Sequence, residues 1–202
     1  MVRNILFLGI VIVLLATSAT AADLVVNGGF TTGDFSGWNN PTGAWFIGGV
    51  GSDPGAPTDT SFAASTACTG AGCNDAASGN TLSQTLNTVA GTTYVLTFYY
   101  DPGPHQGGVF GLTTELEVFW NGASVDTITN PTMDTWSQYS VAGLTASGTS
   151  TTLEFTGRAD ESSLFLTDVS VTAPEPMTLT LIGGGLLGLG ALGTILRRRR
   201  KS

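Results

Sequence analysis

Basic residues are almost missing from the body of this 202-residue chain. Of its seven Lys and Arg, Arg3 lies near the start and five close the chain, which leaves only Arg158 within residues 23–173. Fourteen Asp and Glu share that region, so it carries a formal charge of −13 against −8 for the whole chain. Such a surface repels phosphate backbones, and nucleic acid is a poor partner for it. There is one histidine, His105, and two cysteines, Cys68 and Cys73, too few for a zinc site of Cys and His ligands. The chain holds no Gly-x-Ser-x-Gly, His-Glu-x-x-His, phosphate loop or dinucleotide fingerprint, so the common signatures of hydrolytic, metalloprotease and nucleotide chemistry are missing. No helical period appears between residues 23 and 173.

The two ends are built differently from the middle. Arg3, an apolar run over residues 5–16 and Ala19-Thr20-Ala21 form the charged, apolar and small-x-small parts of a signal peptide, with cleavage expected after Ala21 or Ala22. At the other end Pro174-Glu175-Pro176 precedes twenty largely apolar residues, 177–196, and then Arg197, Arg198, Arg199, Arg200 and Lys201. As a helix the apolar run would extend ~30 Å, about the hydrocarbon thickness of a bilayer. The basic end would hold it on the cytoplasmic side and leave the rest of the protein outside. This tail closely resembles the PEP-CTERM sorting signal of Gram-negative bacteria. The resemblance implies recognition by an exosortase, a membrane cysteine protease that cuts near the triplet, and a link to exopolysaccharide and biofilm. The expected organisation is a signal peptide over 1–22, an exported domain over 23–173 and a sorting signal over 174–202.

Within the exported domain, short alternating runs rich in Thr, Val, Tyr and Phe are bounded by Gly, Pro, Asn and Asp. The pattern predicts about nine strands, over 24–26, 44–47, 81–86, 92–100, 112–120, 124–128, 137–141, 151–157 and 163–171. Tyr94, Leu96, Phe98 and Tyr100 share one face of their run; Leu112, Leu116, Val118 and Trp120 share one face of the next, with Glu115 and Glu117 opposite. Asn121-Gly122 between two runs suits a type I′ hairpin turn. These signals together predict an all-β fold, an antiparallel β-sandwich.

Asn27-Gly28-Gly29-Phe30 followed by Gly33-Asp34-Phe35-Ser36-Gly37-Trp38 resembles the opening signature of galactose-binding-like jelly rolls, the fold of many carbohydrate-binding modules. Leu82 to Leu86, Gly91 to Tyr100, Leu116 to Gly122 and Phe165-Leu166-Thr167-Asp168-Val169-Ser170-Val171 follow in the family's order, so the likeness covers nearly all of the exported domain. It implies a structural Ca²⁺, for which Asp168 and Asp34 are the candidate ligands, with backbone carbonyls of residues 27–30. Thr31 and Thr167 stand where the family has carboxylates, and Asp168 equally suits a turn at the last strand. Trp45 and Tyr99 are the candidate sugar-stacking rings, whereas Trp38, Trp120 and Trp136 read as packed. His105 and Gln106 lie in a Gly- and Pro-rich loop with no nucleophile nearby. Glu115 and Glu117 are neighbours on one strand rather than carboxylates facing across a cleft.

Cys68 and Cys73 flank four residues and, in an exported protein, read as a local disulfide stabilising by about 2 kcal/mol. The functional expectation is a non-enzymatic protein, first an inner-membrane precursor with a cytoplasmic C-terminus. It is then a component of the envelope, cell surface or matrix that binds or embeds in exopolysaccharide. The alternatives are a structural or adhesive matrix protein with no defined sugar and, further off, a glycoside hydrolase or lyase.

Overall fold

The computed structural model describes residues 21–51, 54–58, 61–70, 73, 80–103, 113–160 and 163–174. The expected signal-peptide core, Glu175, Pro176, the apolar run, Arg197 to Arg200, and the loop residues His105 and Gln106 lie outside the described residues.

Among the described residues nine strands follow one another: β1 Phe46–Gly49, β2 Phe62–Thr66, β3 Thr81–Asn87, β4 Thr93–Asp101, β5 Thr114–Trp120, β6 Ala123–Thr129, β7 Ser137–Thr145, β8 Ser150–Ala159 and β9 Leu164–Thr172. They form a five-stranded sheet in the order β1-β2-β9-β4-β7 and a four-stranded sheet in the order β3-β8-β5-β6. Every pairing between them is antiparallel. This is an antiparallel jelly-roll sandwich, as the alternation predicts, and residues Ala21–Pro174 make one compact unit.

The period-two pattern decides what lies between the sheets. Tyr94, Leu96, Phe98 and Tyr100 of β4 point inward and are all buried, as are Leu116, Val118 and Trp120 of β5 and Leu153 and Phe155 of β8. Phe98 meets Phe155 edge-on at 5.6 Å and stacks on Tyr139 at 5.6 Å. Each such side chain contributes about 1.5–3 kcal/mol through burial. Burial also drives the Tyr100 phenol well above its ordinary pKa, so it stays neutral in the core. At the β5–β6 hairpin Asn121 and Gly122 have φ of 52° and 80°, the left-handed pair that a type I′ turn requires.

Two elements differ from the sequence reading. Residues 24–26 do not form a strand; they lie along the end of β9 through a bond from Leu24 N to Val171 O at 2.9 Å. Conversely, β2 has no counterpart in the predicted set. Its Ala63-Ala64-Ser65 lacks the bulky β-branched signal, because small side chains are buried there on both faces. Trp136 is buried just ahead of β7, with Nε1 donating to Val50 O at 3.1 Å.

Candidate functional site

The opening motif folds into a compact loop laid against β9. Asn27, at φ 55°, donates from Nδ2 to Asp34 O at 3.0 Å and Ser36 O at 3.2 Å, while its own carbonyl accepts from Trp38 Nε1 at 3.1 Å. Phe30 and Trp38 are thereby turned into the core, 5.6 Å apart, with Trp38 packed near Phe155. Gly28 is required by contact rather than by φ. A Cβ there would fall 1.9 Å from Val169 O, while Val169 N donates to Gly28 O at 3.1 Å.

The two candidate metal ligands sit in this region. Thr97 pairs with Ser170 and Tyr99 with Thr167, so Asp168 and Val169 together oppose Phe98 and form a β-bulge. Asp168 takes φ 49°, a left-handed conformation that Asp tolerates better than most residues. The bulge frees Val169 to bond Gly28 instead of β4, which brings Asp168 beside the opening loop. Asp34 has a different local role. Its Oδ1 accepts from Thr32 Oγ1 at 2.6 Å and from Ser36 N at 2.9 Å. These bonds, that of Thr32 first, hold its carboxyl below the ordinary range. Thr167 is fully buried and donates from Oγ1 to Phe62 O at 2.8 Å. Among the described residues no group of three His, Cys, Asp or Glu stands close enough to share one ion. A Ca²⁺ held here would therefore rely on Asp168, carbonyl oxygens and water.

Of the two candidate stacking rings, the structure corrects one. Trp45 is 2% exposed, on the same side of the chain as Ile47, and its backbone N–H and carbonyl bond the Asn40 side chain. It offers no ring face to solvent and belongs to the core. Tyr99 points away from the core and is half-buried on the outer face of the five-stranded sheet. It has company that the sequence reading missed. Phe46 is 46% exposed on β1 and Phe165 is half-buried on β9, both on that same face. Val50, Ala63 and Trp136 pack with Tyr99 and Phe165 into a second small apolar cluster there.

The outer face of the four-stranded sheet is largely polar, with Phe119 half-buried among its carboxylates. Glu115 and Glu117 lie on it side by side, Glu115 accepting from Thr129 Oγ1 at 3.1 Å. Glu154 is also on this face, and partial burial raises its pKa. At the end of β8, Asp160 gathers three segments. It accepts from Arg158 Nε at 3.0 Å, from Gly70 N at 2.8 Å and from Thr113 N at 3.4 Å. The Arg158 bond, foremost, holds its carboxyl at about 2. Cys68 and Cys73 are joined as a disulfide beside this hub, with Cα atoms 5.7 Å apart. Asn80, donating to Cys73 O and Gly157 O, ties the loop to the sandwich.

No family model matches this chain, and no curated protein matches it in sequence. Solved structures do match its fold. The carbohydrate-binding module TmCBM61, solved with β-1,4-galactotriose, aligns with a TM-score of 0.51 and 16% identity over 76% of this chain and 100% of the module. A protein of Bacteroides thetaiotaomicron, provisionally described as sugar-binding, aligns with a TM-score of 0.50 and 15% identity over 76% of this chain and 100% of its own. The CBM22-1 and GH10 modules of Clostridium thermocellum xylanase 10B, solved with xylohexaose, align with a TM-score of 0.51 and 12% identity over 77% of this chain and 29% of theirs. At these identities the correspondence shows the fold alone, an antiparallel jelly-roll sandwich.

Proposed function

We propose that this is a non-enzymatic, exported surface or matrix protein whose jelly roll binds or embeds in exopolysaccharide. The observation that carries the reading is one of extent. The compact unit Ala21–Pro174 is a whole sandwich, and it corresponds to the full length of a module solved with an oligosaccharide. Fold alone does not fix a ligand, so the charge and the chain ends supply the context. The first 22 residues would direct export. The tail helix would then hold the precursor in the inner membrane until an exosortase-type protease cuts near Pro174-Glu175-Pro176. The strong net negative charge suits a soluble extracellular surface. Glu115 and Glu117 share one strand face, an arrangement unlike a pair of glycosidase carboxylates that act from opposite sides of a sugar.

A glycan array probed with residues 23–173 tests the binding reading directly. Binding to a defined set of glycans is expected; silence across the array, with the protein folded, would leave a structural or adhesive matrix role. In the native host, changing the triplet to Ala should leave an uncut, membrane-held precursor. Equal release of variant and wild type would reduce the tail to a plain anchor.

A further inference from the structure

We propose that the outer face of the five-stranded sheet is a stacking platform for a neutral polysaccharide, centred on Phe46, Phe165 and Tyr99. The inference rests on the reading that the domain binds carbohydrate, and it names the face and the ligand class. Strand register places the three rings. Phe46 pairs with Ser65, Ser65 pairs with Phe165, and Phe165 pairs with Asp101, two residues from Tyr99 on β4. Phe46 and Phe165 are thus two strands apart, ~10 Å, about the length of a disaccharide. Phe165 and Tyr99 are diagonal neighbours ~7–8 Å apart. The rings form an oblique row across β1, β9 and β4, the arrangement a linear chain of pyranoses needs for successive stacking. Trp136, 6.4 Å from Phe165, and the rest of the small apolar cluster packed beside Tyr99 and Phe165 on this face hold two of the rings in place before any ligand arrives, which lowers the cost of ordering them. Gln138, exposed and paired with Tyr99, adds an amide for sugar hydroxyls at the end of the row.

Charge selects the class of polymer. Arg158 is the only Lys or Arg in residues 23–173, and its guanidinium is engaged by Asp160 on the other sheet. The domain therefore has no uncommitted Lys or Arg with which to recognise a uronate or sulfate, and its net charge repels both.

Affinity electrophoresis of residues 23–173 in gels containing β-1,4-galactan, β-1,4-xylan or polygalacturonate, each with EDTA, tests this. Retardation is expected in at least one neutral gel and not in polygalacturonate. Phe46→Ala should weaken it by roughly tenfold, as expected for loss of one anchoring ring, whereas Phe46→Tyr should retain it. Phe119→Ala, on the outer face of the other sheet, should leave it unchanged. Phe46 is exposed on an edge strand, and a melting transition like that of wild type confirms that the variant folds. Binding that depends on Phe119 but not on Phe46 overturns the platform and leaves carbohydrate binding standing. Retention only in polygalacturonate overturns the ligand class. A dimer that Phe46→Ala converts to a monomer would assign the face to a second copy of the chain. No retention in any gel overturns the platform as a site for neutral polysaccharide, and the broader reading falls only if the glycan array is silent as well.

Discussion

The carboxylate of Asp23 accepts the backbone N–H of Val171 at 2.9 Å, and so fastens the start of the sandwich to the end of its last strand. The same oxygen accepts Val25 N at 3.0 Å, and Leu24 N donates to Val171 O. One residue further on, the side chain of Gln84 on the facing sheet takes over. Its Oε1 accepts Val26 N at 2.7 Å and its Nε2 donates to Val26 O at 2.9 Å. The N-terminal segment is thus laced to both sheets by hydrogen bonds rather than by a strand ladder.

Gln84 is buried while Val26 is exposed, so replacing Gln84 with Leu removes two hydrogen bonds whose Val26 ends water can reach. The expected cost is about 1–2 kcal/mol, read from the urea midpoint of residues 23–173. Asp23→Ala should cost less, because that carboxylate is exposed and water can replace it. An unaltered midpoint for Gln84→Leu would show that the lacing carries no stability.

Much of this arrangement is legible in the sequence, for physical reasons that differ from place to place. Asn27, Gly28 and Trp38 are readable because each position tolerates few alternatives. Asn27 needs a left-handed backbone and a side-chain amide, Gly28 needs an absent Cβ, and Trp38 needs a donor at the edge of the core. The alternating runs of β4 and β5 are equally plain. β2 is hidden because strands are recognised by bulk, and Ala63 and Ala64 are small where covering residues press on them. Trp45 misleads because its Gly-rich setting suggests exposure, whereas it precedes β1 and continues the inward parity of Ile47. The aromatic row escapes notice for a related reason. Phe46 and Phe165 lie well over a hundred residues apart, and only the placement of β2 between β1 and β9 puts them on one face.

The disulfide acts mainly on the unfolded chain, so its short loop caps its contribution. Closing so short a loop is worth about 2 kcal/mol on the chain-entropy estimate. In the folded state Cys68 O also accepts Ala159 N at 2.9 Å, Gly70 N reaches Asp160, and Cys73 O accepts Asn80 Nδ2, so the loop has attachments besides the sulfur link. Replacing both cysteines with Ser should lower stability by no more than about 2 kcal/mol and leave the fold intact. Global unfolding of the double variant at room temperature would contradict this.

Asp160 should make the domain acid-sensitive over a defined range. Its folded pKa is about 2, against about 3.9 for an unfolded Asp, so between these values the unfolded chain binds more protons. Its contribution is present above about pH 4 and is lost as pH falls through the folded value near 2. Thermal melts of wild type should decline over that interval. Asp160→Asn should be less stable at neutral pH and show a shallower decline, since it retains an acceptor for Gly70 N but not the charge that holds Arg158. Parallel pH profiles for the two proteins would remove Asp160 from the account of acid sensitivity.

Asp168 allows a backbone role and a metal role to be separated by choice of substitution. Its φ of 49° at the β9 bulge is one that Gly adopts freely and Ala resists by ~1–2 kcal/mol. If the position serves the bulge, Asp168→Gly in EDTA should stay close to wild type while Asp168→Ala loses ~1–2 kcal/mol. If the carboxylate also holds Ca²⁺, the ion should raise the melting temperature of the wild-type domain by mass action and do so in neither variant. The two effects are independent, since one is read in chelator and the other as a difference on adding the ion. Equal losses for Gly and Ala in EDTA would place the stabilising contribution in the carboxylate itself. A Ca²⁺ shift that survives in Asp168→Gly would move the metal elsewhere in the chain.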